Sequence, residues 1–172
     1  MYEFEPVKPE PIKRVKDTIT EEDLAKAVKL IKKSVRPMVL VGGGAVISGA
    51  SKELSEFVEL IDAPVCDTLM GKGAYDGTKK NYTGMVGMHG TKASNYAVTE
   101  CDLLIAVGAR FSDRVTGNTK KFAKEAKILH IDIDPAEINK NVQTDASVIG
   151  DIKEVFKALN KRIEKKDNSE WV

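Results

Sequence analysis

Apolar and polar positions along this chain follow two rhythms. In "TEEDLAKAVKLIKKS", residues 20 to 34, Leu24, Ala27, Val28 and Ile31 recur at the three- and four-residue spacing of one helix face. Thr20 precedes them as an N-cap, and Glu21, Glu22 and Asp23 fill the first turn, where the helix dipole favours carboxylates. The spacing predicts a helix ending near Ser34. "RPMVLVGG" then runs apolar until glycine stops it, the pattern of a strand buried on both faces. "SKELSEFVELID" returns to helical spacing and "APVCDTL" supplies a second short strand. A glycine-rich passage holding "MGKGAYDG" and "GMVGMHG" follows, then a helix over "TKASNYAVTE" and a strand over "CDLLIAVG". The last third repeats the rhythm. It reads as a loop over "FSDRVTG", a basic helix over "NTKKFAKEA", a strand over "KILHIDID", a turn at "PAEINK", a strand over "ASVIG" and a long amphipathic helix over "DIKEVFKALNKRIEKK".

Strands alternating with helices of this length imply right-handed crossovers. The expected fold is therefore α/β, a Rossmann-like doubly wound parallel sheet of five to six strands with helices on both faces, the sixth strand near "NYTGMVG". The 172 residues suit one domain. Residues 20–166 are expected to form it, with 1–19, where prolines and charges mix in "EFEPVKPEPIKR", as a linker from a missing preceding domain, and 167–172 as a tail or linker.

Composition narrows the chemistry. Lys and Arg total 27 against 26 Asp and Glu, so no net field favours nucleic acid or an anionic membrane, and neither is expected as a partner. No apolar run approaches the roughly 20 residues of a membrane span and the N-terminus lacks a signal core, which points to the cytoplasm. Cys66 and Cys101 have neither CxxC spacing nor a disulfide framework and read as buried thiols. Two histidines cannot build a His-rich metal site, and His130 falls inside a strand, where a packed imidazole is the commoner case.

In an open parallel sheet, ligands bind beyond the carboxyl ends of the strands. The residues there are Gly42, Gly43 and Gly44, then Asp67, Thr68 and Leu69, then Gly108, Ala109 and Arg110, then Asp132 and Asp134, and finally Gly150 and Asp151. Glycine lets backbone approach a ligand, carboxylates accept from ribose hydroxyls, and an arginine holds a pyrophosphate. A nucleotide satisfies most of these groups together. "VGGGAVISGAS" nevertheless breaks both familiar fingerprints. GxGxxG from Gly42 meets Ile47, and GxxxxGK[ST] from Gly44 has Ala50 in place of lysine, which removes the main charge a triphosphate needs. The dinucleotide alternative keeps Asp67, about 20 residues past the glycines, as a ribose acid, and a plain tight turn remains the structural alternative. No GxSxG, HExxH or Cys–base pair is present. His89 in "GMHG" is a candidate base or a loop anchor.

In order, "VGGG", "DTLMGKGAYD", "GMVGMHGTKASNYAV", "CDLLIAVGARFSDRVTG" and "ILHIDIDPAEINKN" resemble the central domain of the acetolactate (acetohydroxyacid) synthase large subunit, over most of residues 20 to 165. The resemblance implies an FAD-binding middle domain. Thiamine diphosphate and Mg would belong to the parent enzyme's first and third domains, not to this chain, so the chain alone is expected to be inactive. It implies as partners the missing N- and C-terminal domains, a homo-oligomer and a regulatory subunit. Carried over by position, flavin contacts fall on Gly42, Gly43, Thr68, Leu69, Val86, Gly87, Met88 and His89. They continue through Gly108, Ala109, Arg110, Asp113 and Val115 to Asp132 and Ile133 near the adenosine end, and to Asp151. No catalytic residue and no metal ligand is implied. Met88, Asp113 and Arg114 match positions bordering the family's substrate channel. Ser112 replaces a commoner acidic residue, and Asp132 stands where some relatives carry glutamate. The alternatives are the middle domain of another thiamine-diphosphate carboligase or decarboxylase, a self-standing NAD-binding module, and a scaffold that has lost its ligand.

Overall fold

Every apolar run becomes a strand in the structure, a computed structural model that describes residues 18–119 and 121–172. Nearly all of the expected N-terminal linker therefore lies outside the described residues. Six strands form one sheet: β1 (Pro37–Val41), β2 (Val65–Asp67), β3 (Tyr82–Met85), β4 (Leu103–Val107), β5 (Lys127–Asp132) and β6 (Ala146–Ile149). All pairings are parallel and the order is β3-β2-β1-β4-β5-β6, so the chain reverses its direction of travel between β1 and β4. This is the doubly wound arrangement expected from the alternation of elements.

Helices cover both faces. On one face α1 (Glu21–Lys33), α3 (Ser51–Ile61) and α6 (Ile152–Asn160) lay their apolar stripes on Val39, Val41, Ile105, Val107, Leu129 and Ile131. Phe57 of α3 meets Phe156 of α6 at a ring-centroid distance of 4.8 Å. On the other face, α4 (Lys92–Glu100) and the short α5 (Asp113–Thr116) pack with Phe111, Phe122 and Trp171 over Met38, Leu40, Leu104 and Ala106. Thr20 caps α1 as its sequence position implies, accepting from the amide of Asp23. Cys66 and Cys101 are free and buried, and burial pushes both thiols up, Cys101 to about 12, so neither is a nucleophile at neutral pH.

Three elements depart from expectation. A short helix α2 (Gly43–Ile47) occupies the glycine loop, where propensity argues against helix. The basic stretch 118–126 forms turns among its described residues, because Ala123 takes a left-handed φ of 45° that ends the helical path and seats Phe122 and Ala123 on the sheet. The last helix stops at Asn160 rather than 166. There the backbone turns, and the Lys166 amide bonds the carbonyl of Leu60 while its ammonium reaches the carbonyls of Ile31 and Ser34. The segment continues across the amino ends of the strands, where Asn168 bonds Asp62 and Ile61 and the Trp171 indole donates to Pro37.

Asp102 closes the same edge. Burial acts to raise its carboxyl, but the Ser34 hydroxyl at 2.5 Å and the amides of Val35 and Arg36 at 2.8 and 3.0 Å outweigh it and hold the group below its usual range. A carboxylate depressed in the folded state stabilises the fold above its unfolded pKa of about 3.9, and that stabilisation is lost as pH falls through the lower folded value. Asp102→Asn is therefore expected to be less stable than the parent at neutral pH and to show a shallower loss of stability below about pH 4. Urea titrations from pH 7 to pH 2.5 test this, and parallel pH curves for the two proteins would remove Asp102 from the account.

Candidate functional site

The strand registers place one row of residues across the sheet: Met85, Asp67, Val41, Val107, Ile131 and Val148. The loops leaving this row are the glycine-rich and carboxylate-rich segments, and they meet at one edge. Five strand spacings of about 4.8 Å make this edge about 24 Å wide, wide enough for an extended dinucleotide-sized ligand. A cleft of about 760 Å³, lined by Val58, Tyr75, Asn81 and Lys166, lies at the amino ends of the strands and contains none of these groups.

What the glycines approach is each other's backbone. The Gly42 amide donates to Val107 at 2.8 Å and the Gly44 amide to Gly108 at 3.1 Å. A Cβ on Gly42 would lie 2.1 Å from the Gly108 carbonyl oxygen, and one on Gly108, whose φ is 57°, would lie 2.6 Å from the Gly44 Cα. The two loops at the reversal point are thus in backbone contact. A third contact follows at Gly71, where a Cβ would come within 2.1 Å of the Val41 carbonyl oxygen, so the turn Leu69–Gly71 seats directly on the end of β1. Gly87, at φ 98°, is packed against the Arg114 carbonyl in the same way and brings residues 86–89 beside α5.

These contacts decide which side chains reach solvent. Leu69, Met70 and Met88 are 70, 71 and 73% exposed on the rim, and Ile133 is also exposed. Arg110 and His89 project outward, and Asp113 begins α5 with its carboxylate accepting from the Arg114 amide. Val86 and Ala109 face the core, so any ligand meets them through backbone alone. Thr68 spends its hydroxyl on the Gly71 amide and Asp151 its carboxylate on the Glu154 amide, each as a cap. Met88, Asp113, Arg114 and Val115 line a cavity of about 450 Å³ between the Gly87 loop and α5.

Two carboxylates at the edge differ in what they offer. Asp67 is 3% exposed; one oxygen accepts from the Tyr82 hydroxyl at 2.7 Å and the other lies 3.6 Å from the Lys72 ammonium. Burial, with the Asp67 carboxylate beside it, raises the Tyr82 phenol, and the hydrogen bond to Tyr82 with the Asp67 charge raises Lys72. Asp132 accepts from the Asp134 amide at 3.0 Å through one oxygen and turns the other toward His130. Burial works to raise Asp132, but His130 and the backbone amides beyond it prevail and hold it ionised below the usual range.

A profile of the family described as "Thiamine pyrophosphate enzyme, central domain" matches residues 24–159, which include most of α1, the whole sheet and nearly all of α6. The chain belongs to this family. As a thiamine pyrophosphate enzyme central domain it is 57% identical over 152 residues to a probable acetolactate synthase large subunit of Methanocaldococcus jannaschii, covering 87% of this chain and 26% of the relative. It is 50% identical over 133 residues to the acetolactate synthase large subunit of Porphyra purpurea (77% and 22%), and 44% identical over 161 residues to an acetolactate synthase of Arthrospira platensis (90% and 28%). The central domain thus spans about a quarter of the length of the curated relatives it matches. No helix among the described residues is long and apolar enough to cross a membrane, and no described cluster of three His, Cys, Asp or Glu could hold a metal ion.

Sequence reasoning missed Asn95 and Met70. Asn95 grips the Gly87 peptide from both sides, Oδ1 accepting its amide at 2.9 Å and Nδ2 donating to its carbonyl at 3.1 Å. Nothing in "TKASNYAV" signals this, because the contact exists only once α4 packs under the loop. Met70 packs on Gly43 and extends the apolar rim begun by Leu69, which a search one residue wider would have found.

Proposed function

We propose that this chain is the FAD-binding central domain of an acetolactate synthase catalytic subunit, joining two 2-oxo acids in a cytoplasmic enzyme completed by neighbouring domains, further copies of the chain and a regulatory subunit. Residues 20–166 would form the domain, with linkers on either side. The observation that carries this reading is one edge that gathers a cation (Arg110), a carboxylate at the end of β5 (Asp132) and an exposed apolar rim (Leu69, Met70, Met88), in a chain whose relatives bear that enzyme's name. FAD would supply a pyrophosphate, a ribose and a flat ring. Arg110 would hold the first, Asp132 would accept from the second, and the rim methionines and Leu69 would lie against the third. Val86, Gly87, Ala109 and Gly108 would contribute backbone.

The groups on this edge would orient and bind a ligand rather than move protons. Thiamine diphosphate and Mg would be held by domains outside this chain, so the chain alone would form no acetolactate. The NAD-binding alternative would place its ribose on Asp67, one oxygen of which already accepts from the Tyr82 hydroxyl while the other lies 3.6 Å from the Lys72 ammonium. The test is a titration of the purified chain with FAD, followed by flavin fluorescence, with NAD as competitor. Saturable quenching that excess NAD leaves unchanged is the expected result. Displacement by NAD at comparable concentration would replace the flavin reading with the dinucleotide one.

A further inference from the structure

His130 lies inside β5, fully buried, and neither of its ring nitrogens has a hydrogen-bond partner among the described residues. Buried polar atoms are nearly always paired, so two orphaned nitrogens on one ring call for a reason. Two neighbours provide it. The Nε2 atom is 3.7 Å from Oδ2 of Asp132, just beyond hydrogen-bond reach, and the Phe111 ring meets the imidazole edge-on at 5.0 Å and 70°. Phe111 takes a left-handed φ of 48°, a conformation uncommon for an aromatic residue, and this drives its ring into the core while Arg110 stays at the surface. His130 therefore touches both the loop that presents Arg110 and the carboxylate that ends β5.

We propose that His130 is a positioning residue: Nε2 donates to Oδ2 of Asp132, fixing that carboxylate at the sheet edge as an acceptor for a ligand hydroxyl, while the ring seats Phe111 beneath Arg110. A small tilt of the carboxylate closes the gap. Donation needs only the neutral tautomer with its proton on Nε2, which leaves Nδ1 as one orphaned atom in place of two. Oδ1 is already held by the Asp134 amide, so the two bonds together fix the plane of the carboxylate from inside the protein. The ligand half of the proposal rests on the flavin reading; the pairing of His130 with Asp132 does not.

Three measurements on the full chain test it. Nitrogen-15 shifts of the unsubstituted protein are expected to report the Nε2–H tautomer, and ¹³C titration is expected to show the Asp132 carboxyl moving upward in His130→Phe, which keeps a ring against Phe111 and removes the donor. The same variant is expected to weaken FAD binding roughly tenfold, the effect of one hydrogen bond to a charged group, with His130→Gln, which restores an N–H donor, recovering most of the loss. An Nδ1–H tautomer, or an Asp132 titration unmoved by His130→Phe, overturns the proposal. If Asp132 moves as expected and the unsubstituted chain does not bind FAD, the pairing stands and the flavin reading falls. Should His130→Phe not fold, the tautomer and the Gln variant decide.

Discussion

Gly108→Ala is expected to lose about 3 kcal/mol or more of folding stability, a large share of a marginal total. Two costs combine. An L-residue at φ 57° costs about 1–2 kcal/mol, and a methyl forced between the Gly44 Cα at 2.6 Å and the Ile152 side chain at 2.8 Å adds about 1–3 kcal/mol of overpacking. Gly49→Ala isolates the first cost, since φ is 62° there and a Cβ would meet open space. Urea midpoints for the two variants, at unchanged m, separate the contributions. Equal losses would mean that backbone contact between the β1 and β4 loops contributes nothing beyond the dihedral.

Arg110→Glu tests the ligand instead of the fold. The side chain is exposed and among the described residues the Arg110 carbonyl alone is bonded, by Asn141 at 3.1 Å, so stability should change by less than about 0.5 kcal/mol. FAD affinity should fall by a factor of about 100 or more, because a cation facing a pyrophosphate is replaced by a repelling anion. Fluorescence titration reads the affinity and thermal unfolding checks the fold. Unaltered binding would take the pyrophosphate away from this strand end.

Much of the architecture was legible because the four inner strands, β2, β1, β4 and β5, are buried on both faces and the longer helices on one, so continuous and periodic apolar runs mark them cleanly. Thr20 and the strand ends follow from such local signals, and the parallel pairing from the right-handed crossover rule. The failures share a cause. Ala123 and Lys166 are ordinary helix formers whose conformation is set by partners distant in sequence, Phe111's cluster in one case and the end of α1 in the other. Asp67 has the spacing of a ribose acid, but Tyr82, fifteen residues on, takes its carboxylate. The glycines are a subtler case. A glycine says that something comes close without saying what, and at Gly42, Gly44 and Gly108 the close object is the neighbouring main chain.

That main-chain contact divides the edge into what can change and what cannot. An inserted or deleted residue in either loop would separate Gly42 from Gly108 and unseat the turn at Gly71, whereas Leu69, Met70, Met88, Arg110 and Ile133 project from this frame without supporting it. Descendants of this domain would then diversify their ligands by exchanging rim side chains at fixed loop length. An engineer seeking a new cofactor preference should vary those five positions and leave the spacing alone.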